Sequence, residues 1–167
     1  MSSVALRSEG LAAVFVEPVG PAGVRVEERP RSPVQPGEVA VGIRAASLNH
    51  LDLWTVRGAQ RIPPPRVLAA DGAGVVTASG DALWKEGDEV VVYPVTCCWQ
   101  CEACRAGQQV FCPRFGILGE TVDGIACEEL QVPAQNLFRK PRALSWEEAA
   151  AFPLTFLTAW RMIVTRA

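Results

Sequence analysis

The chain has 167 residues, a formal net charge of −2, 49% hydrophobic residues and 20% charged ones. That balance belongs to a globular chain with room for one real core, and the small negative charge argues against a broad basic surface for nucleic acid or anionic membrane. The longest early apolar run, LAAVFV at 11–16, is too short for a signal-peptide core and far short of the roughly 20 residues of a membrane span, so the expected compartment is the cytoplasm, where thiols stay reduced.

In chain order, 14 glycines and 13 prolines cut the sequence into short pieces. GEVAVGIRAAS (37–47) alternates, and predicts a half-buried strand with Val39, Val41, Ile43 and Ala45 on one face. NHLDLWTVRG (49–58) predicts a short helix stopped by Gly58. GAGVVTAS (72–79) and DEVVVYPV (88–95) are apolar runs between turn signals and read as strands. GIACEELQVP (124–133) is a weaker strand candidate. SWEEAAAF (145–152) opens with a capping box, Ser145 at the N-cap and Glu148 three residues on. Pro153 suits the first turn of a second helix, PLTFLTAWRMIV, whose apolar residues cover nearly every side and predict burial. The expected class is mainly β (α+β): a barrel or sandwich of short strands with helices at its C-terminal end.

Between those elements, CCWQCEACRAGQQVFC (97–112) holds five of the six cysteines. A reducing compartment disfavours disulfides. An iron–sulfur cluster of the CxxCxxC…CP kind wants x3 before its Cys-Pro, whereas Cys98-x2-Cys101-x2-Cys104 is followed by x7 and Cys112-Pro113. Four close thiolates suit a closed tetrahedral zinc site of the structural type. Cys97 is the spare, and Cys127 reads as a small core residue. The loop is polar, so a metal would supply order that packing does not.

A β-rich domain carrying CxxCxxCx7C about a hundred residues in resembles the N-terminal, GroES-like catalytic domain of the medium-chain, zinc-containing alcohol dehydrogenase and quinone reductase family. PGEVAVGIRAASLNHLDLW, PRVLAADGAGVV, EGDEVVV, GIACEELQVP and LSWEEAAAFPLTFLTAW each resemble successive stretches of that domain. The resemblance implies a GroES-like barrel at 1–144 with a structural-zinc lobe at about 95–116. Residues 145–167 would then lead toward a nucleotide-binding domain. It implies an NAD(P)-dependent oxidoreductase acting on a small alcohol, aldehyde, ketone or enone.

The family also binds a catalytic zinc, and here the sequence departs. The positions of its ligands fall on Asn49, Ala70 and Leu154, with Asp71 at the family's glutamate position. Alanine and leucine cannot coordinate, and the proton-relaying hydroxyl falls on Leu51. The pattern resembles the subset that keeps the structural zinc and loses the catalytic one. The resemblance places Asn49, Asp52 and Trp54 in the substrate pocket and His50 and Thr158 against the cofactor. Each has a plainer alternative: a surface histidine for His50, a helix-start carboxylate for Asp52, a core aromatic for Trp54 and a buried helix hydroxyl for Thr158.

No GxGxxG turn is present, because DGAGVVTASG runs on as strand. The expectation is therefore one structural zinc, no catalytic residue of its own, and NAD(P) only through a nucleotide-binding domain outside these 167 residues. Catalytic silence of the isolated chain and self-association through the C-terminal helix face are expected with it. The alternative is a stand-alone zinc-stabilised binding module.

Overall fold

A computed structural model of the chain describes residues 9–59 and 62–165. A hairpin of β1 (Glu9–Phe15) and β2 (Val24–Pro30) opens the fold, and β3 (Glu38–Ser47) follows it. Helix α1 (His50–Val56) then leads to β4 (Arg66–Val67) and β5 (Asp71–Ser79). Next come β6 (Glu89–Val92), β7 (Val95–Thr96), α2 (Glu102–Arg105) and β8 (Gly116–Ile117). The chain continues through β9 (Glu129–Pro133), β10 (Leu137–Arg139), α3 (Trp146–Ala151) and α4 (Pro153–Trp160).

The strands form a five-stranded sheet ordered β10-β6-β5-β3-β9, a three-stranded sheet ordered β2-β1-β4, and the small pair β7-β8. Every strand pairing within these sheets is antiparallel. The main core gathers Val39 and Val41 of β3, Val76 of β5, Val90 and Val92 of β6 and Val132 of β9 around Ile125. Gly74 lets β5 run against β3 at close range, since a Cβ there would collide with the Gly42 carbonyl.

The β3 alternation holds only in part. Val39 and Val41 enter the core with Ile43 against it, but Ala45 packs with α3 on the opposite face. The register shifts between Ile43 and Ala45, and one extra residue in an antiparallel ladder turns every later side chain over. The predicted 88–95 strand breaks after Val92, and β7 restarts at Val95 to pair with β8. The 124–133 strand is regular only from Glu129; upstream, the Ala126 carbonyl accepts from Ala13 N at 2.7 Å while its N–H reaches the Leu68 carbonyl at 2.9 Å.

Both helix-start signals are realised. The Ser145 hydroxyl accepts from Glu148 N at 3.2 Å, and the Glu148 carboxylate accepts from Ser145 N at 2.8 Å. Gly58 takes a φ of 73° just past α1, the left-handed turn that stops a helix. The expected burial of the last helix is not realised. Pro153 alone is buried in α4, whereas Phe156 and Trp160 are 69% and 65% exposed, and Met162, Ile163 and Val164 in the following π-helical turn are exposed too. Only the start of the helix docks onto α3 and β5, so its long apolar face has no covering element among the described residues.

Candidate functional site

Two groups of side chains carry chemistry. The first stands at the base formed by β7 and β8, where the chain leaves the barrel at Val95–Thr96 and returns at Gly116–Ile117. Between these strands, Cys98, Cys101, Cys104 and Cys112 bring their sulfurs within 4.8 Å of one another. The Cys98 and Cys104 sulfurs are 3.8 Å apart. A tetrahedron with zinc–sulfur bonds of about 2.3 Å has edges of about 3.8 Å, whereas a disulfide needs about 2.05 Å. The donor set therefore fits a four-coordinate soft metal.

Backbone amides converge on the same sulfurs. Cys101 N donates to Cys98 Sγ at 3.2 Å, and Cys98 N and Arg114 N donate to Cys112 Sγ at 3.4 and 3.3 Å. The N–H groups of Gln100 and Cys101 pull the Cys98 thiol down to about 6, while burial pushes the Cys104 thiol up to about 11. Donors aimed at sulfur favour the thiolate, the form that binds metal. Cys97 and Cys127 stay outside the group of four. Cys127 donates to the Glu129 carbonyl at 3.3 Å, and burial pushes its thiol up to about 12, which suits an inert core position.

One packing contact of this lobe was not anticipated. Trp99, at a left-handed φ of 59°, sits 6.1 Å from the Tyr93 ring and donates its indole N–H to Asn136 Oδ1 at 3.3 Å. Asn136 is fully buried, and its amide nitrogen donates to the Tyr93 and Val95 carbonyls at 2.9 and 2.8 Å. Both amide hydrogens and the amide oxygen are thereby engaged, and the side chain fastens the lobe to the barrel.

The second group surrounds the start of α1. Asp52 is buried and accepts from Asn49 N at 2.8 Å and from Ala69 N at 2.9 Å. Its helix-start role is therefore the one the geometry shows, and the second bond holds Ala69 at a left-handed φ of 69°. Asp71 has no exposed surface; its Oδ2 accepts from Asn49 Nδ2 at 2.9 Å and its Oδ1 from Leu154 N at 2.9 Å. Burial raises the Asp71 carboxyl from 3.8 to about 6, with the two hydrogen bonds pulling back and the Asp52 charge adding to the rise.

The structure thus joins Asn49, Asp52, Asp71 and Leu154 in one network. His50 is exposed, with its ring 6.3 Å from that of Trp54, and Trp54 is 50% exposed rather than a core aromatic. Thr158 is exposed on α4, not a buried helix hydroxyl. The hydroxyl that bonds back to the helix is that of Thr155, 3.2 Å from both the Ala151 and Phe152 carbonyls. Sequence reasoning had set Asp71 beside the site without a role. The signal was a lone acid within an apolar run, LAADGAGVV, which predicts a buried carboxylate with partners. A separate cavity of about 500 Å³ lies between β1 and β9; none of Asn49, His50, Asp52, Trp54 and Thr158 lines it. Its charges stand in ion pairs, Arg29 with Asp123 at 3.6 Å and Arg31 Nε with Glu129 at 3.8 Å, the latter too long for a hydrogen bond.

Among the described residues, no helix is long and apolar enough to cross a membrane. Residues 35–142 match the profile of the alcohol dehydrogenase GroES-like domain. An alcohol dehydrogenase of Geobacillus stearothermophilus is 31% identical over 157 residues, 91% of this chain and 46% of that protein. A crotonyl-CoA carboxylase/reductase of Cereibacter sphaeroides is 38% identical over 135 residues, 75% of this chain and 31% of the relative. Among solved structures, an NAD-dependent alcohol dehydrogenase superposes with a TM-score of 0.89 at 46% identity, over 93% of this chain and 47% of that one. The chain spans less than half the length of these relatives. With a matching profile across most of its length and the same fold, the chain belongs to the alcohol dehydrogenase GroES-like domain family.

Proposed function

We propose that this chain is the substrate-side domain of an NAD(P)-dependent oxidoreductase that keeps a structural zinc and has lost the catalytic one. Residues 1–144 are the substrate-side unit, 95–116 its zinc lobe, and 145–167 the lead toward a nucleotide-binding domain. Zinc is held by Cys98, Cys101, Cys104 and Cys112. The observation that carries the reading is the contrast between the two groups: four thiols converge in the lobe, while Asn49, Asp71 and the Leu154 amide are bonded to one another in the pocket. Ala70 and Leu154 offer no ligand atom, so the pocket lacks the three protein donors of a catalytic zinc.

The reaction this supports is hydride transfer without Lewis-acid help, to an activated carbonyl or a conjugated enone. A nicotinamide cofactor, when bound, would supply the hydride for the carbonyl carbon or the enone β-carbon, and solvent would supply the proton that completes the oxygen or the α-carbon. Asn49 and Trp54 would belong to the substrate wall, with the buried Asp52 capping α1 behind them, and His50 and Thr158 would face a bound cofactor. The antiparallel sheets contain no glycine turn to grip a pyrophosphate. This chain by itself is therefore catalytically silent. Four thiols gathered for a metal suit the cytoplasm, where thiols stay reduced, and the exposed face of α4 supports self-association.

Calorimetric titration of the chain with NADH and NADPH, alongside a turnover assay on enones and aldehydes, tests the reading. The expected result is no binding below millimolar concentration and no turnover. Micromolar binding or steady turnover would show that the cofactor site has been misplaced.

A further inference from the structure

Three chain segments meet at Asp71: the turn before α1, the start of β5 and the first turn of α4. Among the described residues, Asp71 is the one side chain that hydrogen-bonds to both of the others, to Asn49 Nδ2 and to Leu154 N. Pro153 has no N–H, so Leu154 carries the first donor of α4, an end group that a helix cannot satisfy internally. Asp71 Oδ1 satisfies it and also places negative charge at the helix start. The rest of α4 gains little hold from packing, since Pro153 is its one buried residue.

We propose that Asp71 is a positioning residue, a hydrogen-bonded brace that ties the entry of α1 to the entry of α4 where a metal ion would otherwise tie them. The assignment rests on the proposed loss of the catalytic zinc, because Asn49 and Leu154 stand at two of that metal's ligand positions. A carboxylate with two oxygens can join two segments as a metal joins its ligands, but only through hydrogen-bond donors on both. This chain supplies them, an amide side chain on one segment and a backbone N–H on the other. The brace fixes the angle at which α4 leaves the barrel, and it fixes the Asn49 side chain on the pocket wall.

Residue-resolved amide exchange on the zinc-loaded chain tests the brace with Asp71→Ala and Asp71→Asn. In Asp71→Ala, exchange at Leu154 should speed up about tenfold or more, while the sheet amide of Val76, bonded to the Asp88 carbonyl, keeps its rate. Asp71→Asn can still accept from Leu154, so exchange there should stay within about threefold of the unaltered chain. A merely structural role for the site would move Val76 with Leu154 and would not distinguish the two substitutions. Unchanged exchange at Leu154 in Asp71→Ala, or equal acceleration in both variants, would overturn the proposal. If Asp71→Ala does not fold, nuclear magnetic resonance of the unaltered chain decides. The Leu154 amide proton and one Asn49 Nδ2 proton should shift with the Asp71 carboxyl carbon at a single midpoint, and separate midpoints would refute the brace. Metal content of the same preparation reports on the zinc reading separately: a second zinc with an intact brace would overturn that reading alone.

Discussion

Replacing Asp71 by asparagine should stabilise the protein, and by an amount that depends on pH. Burial raises the folded-state carboxyl from 3.8 to about 6. Between those values the folded chain holds a proton that the unfolded chain has released. The contribution of Asp71 to stability is therefore greatest below about pH 4, falls as pH climbs to about 6, and stays at its reduced level above that. A shift of about two units is worth about 3 kcal/mol between the two ends of that window. Asparagine carries no charge to bury. Its oxygen can accept from Leu154 N and its nitrogen can donate to Asn49 Oδ1 once that amide turns over, so both bonds survive. Urea unfolding of Asp71→Asn and the unaltered chain should show the variant more stable by about 3 kcal/mol at pH 8 and by about half that at pH 5. A difference that does not change with pH, or a variant less stable at pH 8, would refute the reasoning.

Asp52→Ala should cost about 2–4 kcal/mol in the same assay, because it strands the buried N–H of Ala69 and the half-buried N–H of Asn49; Asp52→Asn, which keeps one acceptor, should cost about half as much. A loss below about 0.5 kcal/mol in Asp52→Ala would return that residue to a pocket role. Ala69→Gly should raise stability by about 1 kcal/mol, since only glycine adopts the left-handed φ of 69° without strain; a lowered midpoint in thermal unfolding would contradict this. Sedimentation of the chain should show concentration-dependent association that Phe156→Asp with Trp160→Ser abolishes, because those two residues are the large exposed aromatics of α4. Association unaffected by the double substitution would place the contact elsewhere.

Local signals were read well where one residue decides the outcome. Ser145 and Glu148 form their box, Gly58 ends α1, and the cysteine spacing alone selected the four thiols that converge. The cysteine-bearing stretch between β7 and β8 is short in sequence, so its spacing could be read without knowing any distant partner. Signals that depend on distant partners were not legible. The slip that turns Ala45 toward α3 is set by the β3–β5 ladder, which composition does not encode. The exposed α4 follows from what packs against it, not from its own apolar residues. Asp71 looked idle because both of its partners lie far away in sequence, one of them a backbone group that any residue at position 154 would offer.

The central claim is one zinc in the lobe and none in the pocket, and metal analysis of the reduced, folded chain tests it most directly. The account predicts one zinc per chain, retained by Cys97→Ser and lost by Cys101→Ser. X-ray anomalous scattering should place that metal among Cys98, Cys101, Cys104 and Cys112. A stoichiometry near zero, a brown iron–sulfur chromophore, or strong zinc scattering beside Asn49 would contradict it.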